Sequence, residues 1–223
     1  MSDYREQTAR PTAGDIGTPA LFVRNDSPGD LSTTNLYLAM GQLDSAGLLR
    51  VTEEGGKATY FATSQFASDA TGTDIAVFVG VATKTAKLFG IQISSTATAA
   101  ATGDLSIIRR SALDTGGTAA NASVAQADGR DVAPAITPQH YTAHPTGLGA
   151  SAGILWGQRY IQPAVSTTLL PGFFIDFRQY NGGKPIRVSG TTDVIAVNIA
   201  AALGGSGNAF DITWIWCEEP TTA

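Results

Sequence analysis

The feature that most constrains this chain is a period-two alternation of apolar residues, repeated segment after segment along its last two thirds. Side chains two apart share one face of a β-strand, so each such run predicts a strand with one buried face. Ile75, Val77, Val79 and Val81 form the first run, and Phe89, Ile91 and Ile93 the second. Residues 105–110 follow an Ala/Thr-rich loop, and Ile154, Trp156 and Tyr160 share a face in a longer run. Phe173, Ile175 and Phe177 alternate with Phe174, Asp176 and Arg178, then Asn181-Gly182-Gly183 supplies residues that tolerate positive φ and predicts a hairpin turn. The last two strands place Ile195, Val197 and Ile199, then Phe210, Ile212, Trp214 and Trp216, on buried faces, with a Gly-rich connection at 204–208 between them.

No window of helical length joins a 3.6-residue apolar stripe to caps at both ends. Residues 96–102 favour a helical turn by propensity but offer nothing large to bury. Many short alternating strands separated by Gly/Pro turns predict an all-β antiparallel sandwich or barrel over 75–223. Residues 1–74 read differently. Residues 1–34 hold turn-rich clusters at 10–15 and 25–30 around one short apolar run, Leu21-Phe22-Val23, and predict an extended arm that is ordered by lying on something else. Short strands are expected at 35–40, 48–51 and 57–61, with a hairpin turn at Glu53-Glu54-Gly55-Gly56, and a polar linker at 68–74.

Composition narrows the function. Charged residues make up 15% of the 223 positions, against roughly 25% in ordinary soluble domains, and Ala, Thr, Ser and Gly take their place. Monomers use charge to keep strand edges apart, so a surface of small neutral residues suits a protein whose faces meet neighbours. Net charge is −5, whereas binding nucleic acid through phosphates needs a basic face. The adjacent pair Arg109-Arg110 would point in opposite directions from a strand, so no nucleic-acid partner is expected. No segment has the length and apolarity of a membrane span, and residues 1–6 lack the basic and apolar regions of a secretory signal. Cys217 is the single cysteine; it excludes an intrachain disulfide and follows Trp214-Ile215-Trp216, where a small buried hydrophobe is expected.

Candidate sites are few. Gly149-Ala150-Ser151-Ala152-Gly153 matches G-x-S-x-G, but that motif needs a strand-to-helix elbow with Asp and then His downstream. Here His140 and His144 both precede Ser151, and no base follows. The two histidines are four apart, yet Pro145 opposes a helix at His144, and on a strand they would stand about 13 Å apart, too far for one metal ion; a loop or the symmetry of an oligomer could bring them together, but two polar loop residues are the simpler expectation. Asp128-Gly129-Arg130-Asp131 is too short for a calcium loop. Asn121-Ala122-Ser123 matches a glycosylation sequon without an export signal, and Glu218-Glu219 is expected to cap the solvated end of a strand. No catalytic, cofactor-binding or metal residue is assigned, no cofactor is implied, and the chain is not expected to be an enzyme.

Residues 75–219 resemble jelly-roll proteins of tailed-bacteriophage virions, closest in character to capsid decoration (cement) proteins. The resemblance is carried by Thr115-Gly116-Gly117-Thr118, by Thr142-Ala143-His144-Pro145-Thr146-Gly147-Leu148-Gly149, by Asp193-Val194-Ile195-Ala196-Val197-Asn198, and by Ile212-Thr213-Trp214-Ile215-Trp216-Cys217-Glu218-Glu219. It implies a jelly roll over 75–223, and for 1–74 an arm with short hairpins that contacts the capsid or another partner. It further implies a homotrimer bound to the major capsid protein or other virion proteins, on the capsid surface of a particle assembled in the host cytoplasm. Related jelly rolls also serve in tails and baseplates, where a receptor-binding module would present aromatic residues to a host glycan or protein; Tyr141 and Tyr180 are the candidates for that role.

Overall fold

The computed structural model describes residues 42–43, 49–50, 57–68, 72–164, 172–203 and 208–220. The expected arm at 1–34, the strand at 35–40, the turn at 53–56 and most of the Gly-rich connection at 204–208 lie outside them. The chain divides into two units, Met1–Gly56 and Lys57–Ala223. In the first, β1 (Gln42–Leu43) pairs antiparallel with β2 (Leu49–Arg50).

The second unit is an antiparallel β-sandwich. Its framework strands are β3 (Thr59–Ser68), β4 (Asp74–Val79), β5 (Lys84–Thr96), β6 (Ala101–Arg110), β10 (Ser151–Gln162), β11 (Phe173–Asp176) continued by β12 (Ile186–Ser189), β13 (Val194–Ile199) and β14 (Asn208–Pro220). The two halves pair as one long folded ribbon: β3 with β14, β4 with β13, β5 with β11 and β12, and β6 with β10. The pairs fall alternately in two sheets. Sheet I runs β11-β5-β14-β3 and sheet II runs β10-β6-β13-β4, which is the jelly-roll wrapping. Between β6 and β10 the chain departs into an insertion carrying β7 (Thr118–Asn121), β8 (Ser123–Gln126) and β9 (Gln139–Ala143). The insertion crosses to the far edge, where β8 extends sheet I beside β3, and β9 then β7 extend sheet II beside β4.

The core lies between the sheets. Phe210, Ile212, Trp214 and Trp216 are fully buried, as the alternation predicts, with Ile195, Val197 and Ile199 facing them from sheet II. Phe78 meets Trp216 edge-on, with ring centres 5.4 Å apart, and Trp214 at 5.6 Å. Quadrupole geometry favours such contacts over a stacked sandwich. Cys217 is buried.

Four sequence expectations change. The sandwich unit begins at Lys57 rather than at 75, because β3 pairs along its length with β14. Ile75 does not share a face with Val77: the ladder slips between Val197 and Asn198, which leaves Ile75 as the extra residue of a bulge. Ile75 therefore joins the core, while Val77 joins Val79, Tyr141, Val194 and Ala196 in a second cluster on the outer face of sheet II. A bulge at Leu155 likewise sets Ile154 opposite Ile108 and Trp156 opposite Ile107. Ile154 therefore points outward, 67% exposed, and Trp156 points inward against Phe173. Finally, Asn181-Gly182-Gly183 does take positive φ at both glycines but makes no hairpin. β11 and β12 run in line along the same edge of β5, and between them the chain makes one helical turn, α1 (Phe177–Tyr180), capped by Asp176.

Candidate functional site

The insertion is the feature that most distinguishes this jelly roll, and polar groups tie it to the sandwich at three places. The deepest tie is Arg110. On β6 it faces outward, opposite to Arg109, as strand geometry requires. Its Nε and Nη2 donate to both oxygens of Asp74 at 2.6 and 2.7 Å, and its Nη1 donates to the Gly149 carbonyl at 2.9 Å. The Asn198 amide donates to the same Asp74 carboxylate at 2.6 Å. Asp74 is fully buried and Arg110 only 6% exposed. A bidentate pair of this geometry holds two desolvated charges that either partner alone could not keep.

Above this pair close the two arms of the insertion, residues 111–117 and 144–150. Thr115 and Gly147 bridge them, and Asp114 accepts from the Gly149 amide at 2.8 Å. Gly116 and Gly117 take φ of +71° and +76°, the left-handed turn that Thr115-Gly116-Gly117-Thr118 was suited to make. Gly149 packs so closely that a Cβ there would sit 1.9 Å from the Ala112 carbonyl oxygen. Burial pushes the Asp114 carboxyl above the ordinary carboxylate range, and the Asp74 charge adds to the effect. Tyr141, beneath the arms, has its hydroxyl pushed up by burial and then by the Asp114 charge.

The second tie is His140 on β9. Its ring stacks on Phe66 at 4.6 Å, and its Nδ1 lies 3.2 Å from the Ser64 hydroxyl. Burial lowers its pKa below the usual histidine value. The third is Glu218, whose two oxygens accept from the amides of Ala135 and Ile136, both at 2.9 Å, and from the Trp216 indole at 3.1 Å. Tyr60 adds a bond to the Val132 carbonyl.

These ties revise several expectations. Glu218 and Glu219 do not cap a solvated strand end: Glu218 clamps the insertion, and Glu219 pairs with Lys57 and with Lys87 at 2.7 Å. Tyr141 is 7% exposed and so cannot offer its ring to a glycan; the side chain of Tyr180 lies outside the described residues. Ser151 opens β10 as an exposed strand residue paired with Arg110, so no strand-to-helix elbow forms around it. His140 and His144 stay apart from any ligand set: among the described residues no group of three or more His, Cys, Asp or Glu side chains could hold a metal ion. Asp128 and Arg130 pair locally on an exposed loop. Asn121 accepts from the Gln139 side chain.

Residues whose exposure the sequence did not announce lie on the outer face of the β6–β10 ribbon. Ile154 is 67% and Ile161 64% exposed, with Leu155 beside them. Between these apolar residues Arg159 pairs across the strands with Asp104 at 3.2 Å, both side chains well exposed. Asp104 and Arg159 are 55 positions apart, so only the β6–β10 register brings them together.

No family model matches the chain, and no curated protein matches it. One solved structure, described as "KBV activated particle at acidic pH", is similar over 93% of this chain and 87% of its own, with 13% identity and a TM-score of 0.27.

Proposed function

We propose that the chain is a structural virion protein, a capsid decoration (cement) protein that stabilises a phage head through symmetric protein–protein contacts, and that it is not an enzyme. The observation that carries this reading is the jelly-roll order of the two sheets, a wrapping used by viral capsid and lectin domains alike. Fold alone does not fix function. It is joined here by the four sequence stretches that resemble phage decoration proteins and by a surface in which charge is sparse. The polar groups that meet the insertion serve to pin it: Arg110 and Asp114 bond the Gly149 backbone, and Glu218 bonds the amides of Ala135 and Ile136. Catalysis instead needs an acid, base or nucleophile converging on open space.

In this reading the protein is a homotrimer on the capsid surface, bound to the major capsid protein without nucleic acid or membrane. Each single contact can be weak, since many symmetric copies give firm attachment by multivalency. A tail or receptor-binding role is the alternative, and it loses its first aromatic candidate with the burial of Tyr141. Mass measurement of the purified chain, together with cryo-EM of its particle, tests the proposal. A trimer located on the head shell is expected; a strict monomer absent from the shell would overturn it.

A further inference from the structure

We infer that the outer face of the β6–β10 ribbon is a self-complementary interface that seats a second copy of this chain about a two-fold axis. The inference goes beyond the virion reading and does not depend on where in a particle the protein sits. It starts from the cross-strand register, in which Ile154 lies beside Ile108, Gly157 beside Ser106, Arg159 beside Asp104, and Ile161 beside Thr102. A two-fold axis running along the strands, between β6 and β10, would lay β10 of each copy over β6 of the other. Arg159 then faces the second copy's Asp104, Asp104 faces its Arg159, and Ile154 faces its Ile108 in both directions. The charges thus match under the symmetry operation without any further charged group. An isologous contact requires this pattern of i against j and j against i.

The rest of the face agrees. Gly157 and Ser106 at its middle are small enough for two sheets to approach to the roughly 10 Å of ordinary face-to-face packing. Ile154 and Ile161, the most exposed isoleucines of β10, would leave water. β10 is the outermost strand of sheet II, and from Ser151 to Gln158 it carries no charge to repel a neighbour. The only charge on the strand, Arg159, is already answered by Asp104. A partner of strong net charge would find no handle on such a face, whereas a second copy finds each group matched.

Charge reversal tests the inference by sedimentation velocity of the full chain. Arg159→Asp places two carboxylates on each copy, and Asp104→Arg places two guanidinium groups. Like charges then meet across the axis, and self-association through this face should weaken at least about tenfold in either variant. Mixing the two variants should restore it, because every acidic group then meets a basic one; the double variant Asp104→Arg with Arg159→Asp should associate like the natural chain. Both side chains are exposed, and unchanged thermal melting would show that folding is intact. Three results would overturn the inference: no two-fold pairing of the natural chain, as dimers or as pairs of trimers, up to about 1 mM, pairing that both single variants retain, or single variants that fail to recombine on mixing.

Discussion

Replacing Arg110 by Met should be among the most damaging single changes in the sandwich, and the reason is the charge it leaves behind. Asp74 is fully buried and receives two bonds from Arg110 and one from Asn198. In Arg110→Met only the Asn198 amide remains, and the Gly149 carbonyl also loses its donor. Breaking a buried pair from one side costs about 3–5 kcal/mol. For a unit the size of Lys57–Ala223, each kcal/mol lowers Tm by roughly 2–4 °C, so a drop of about 6–20 °C is expected. The paired variant Asp74→Asn with Arg110→Met removes the stranded charge along with its partner. The double variant should therefore be more stable than Arg110→Met alone, with a favourable coupling of about 1.5 kcal/mol or more in the double-mutant cycle. Urea unfolding of the four proteins at one pH measures this. If the double variant is no more stable than the single, the loss comes from packing around Arg110, and the argument from uncompensated charge is wrong.

The other ties of the insertion give separate predictions. Glu218→Gln keeps one carbonyl oxygen where two carboxylate oxygens accept three bonds; a loss of about 1–3 kcal/mol should appear as faster hydrogen exchange at the Ala135 or Ile136 amide. Gly149→Ala forces the two arms apart, because the new Cβ meets backbone rather than a flexible side chain; about 1–3 kcal/mol of overpacking should speed limited proteolysis within 111–150 while sheet I stays protected. His140 has a folded pKa below its unfolded value of about 6.5, so the folded state binds fewer protons in that window. Its contribution to stability is present above that value and is lost as pH falls toward the folded pKa. His140→Phe keeps the stack on Phe66 but cannot titrate, and urea midpoints measured from about pH 5 to 7.5 should lose the part of their slope that His140 supplies.

Strand existence was legible in the sequence because burial on one face writes a period of two into the residues, and β14 shows it without interruption: Phe210, Ile212, Trp214 and Trp216 all reach the core. Face assignment failed where a bulge inserted one residue, since every side chain beyond the bulge changes parity. Ile75 and Leu155 are such residues, and each is an ordinary aliphatic side chain in an apolar run, so nothing local announces the shift. The same limit hid the functional surface. Whether Ile154 lines the core or the outside depends on that single extra residue, and the meeting of Arg159 with Asp104 depends on a ladder closed across the whole insertion. The buried centre was half legible: Arg109-Arg110 had to point apart, but that Arg110 would find Asp74 and Gly149 required knowing that the arms fold back over sheet II. Alternation thus records which residues avoid water, and pairing between distant strands decides which polar groups meet. In a jelly roll, whose first strand pairs with its last, almost every such meeting is long-range, so the contacts that distinguish this molecule are the ones its local sequence says least about.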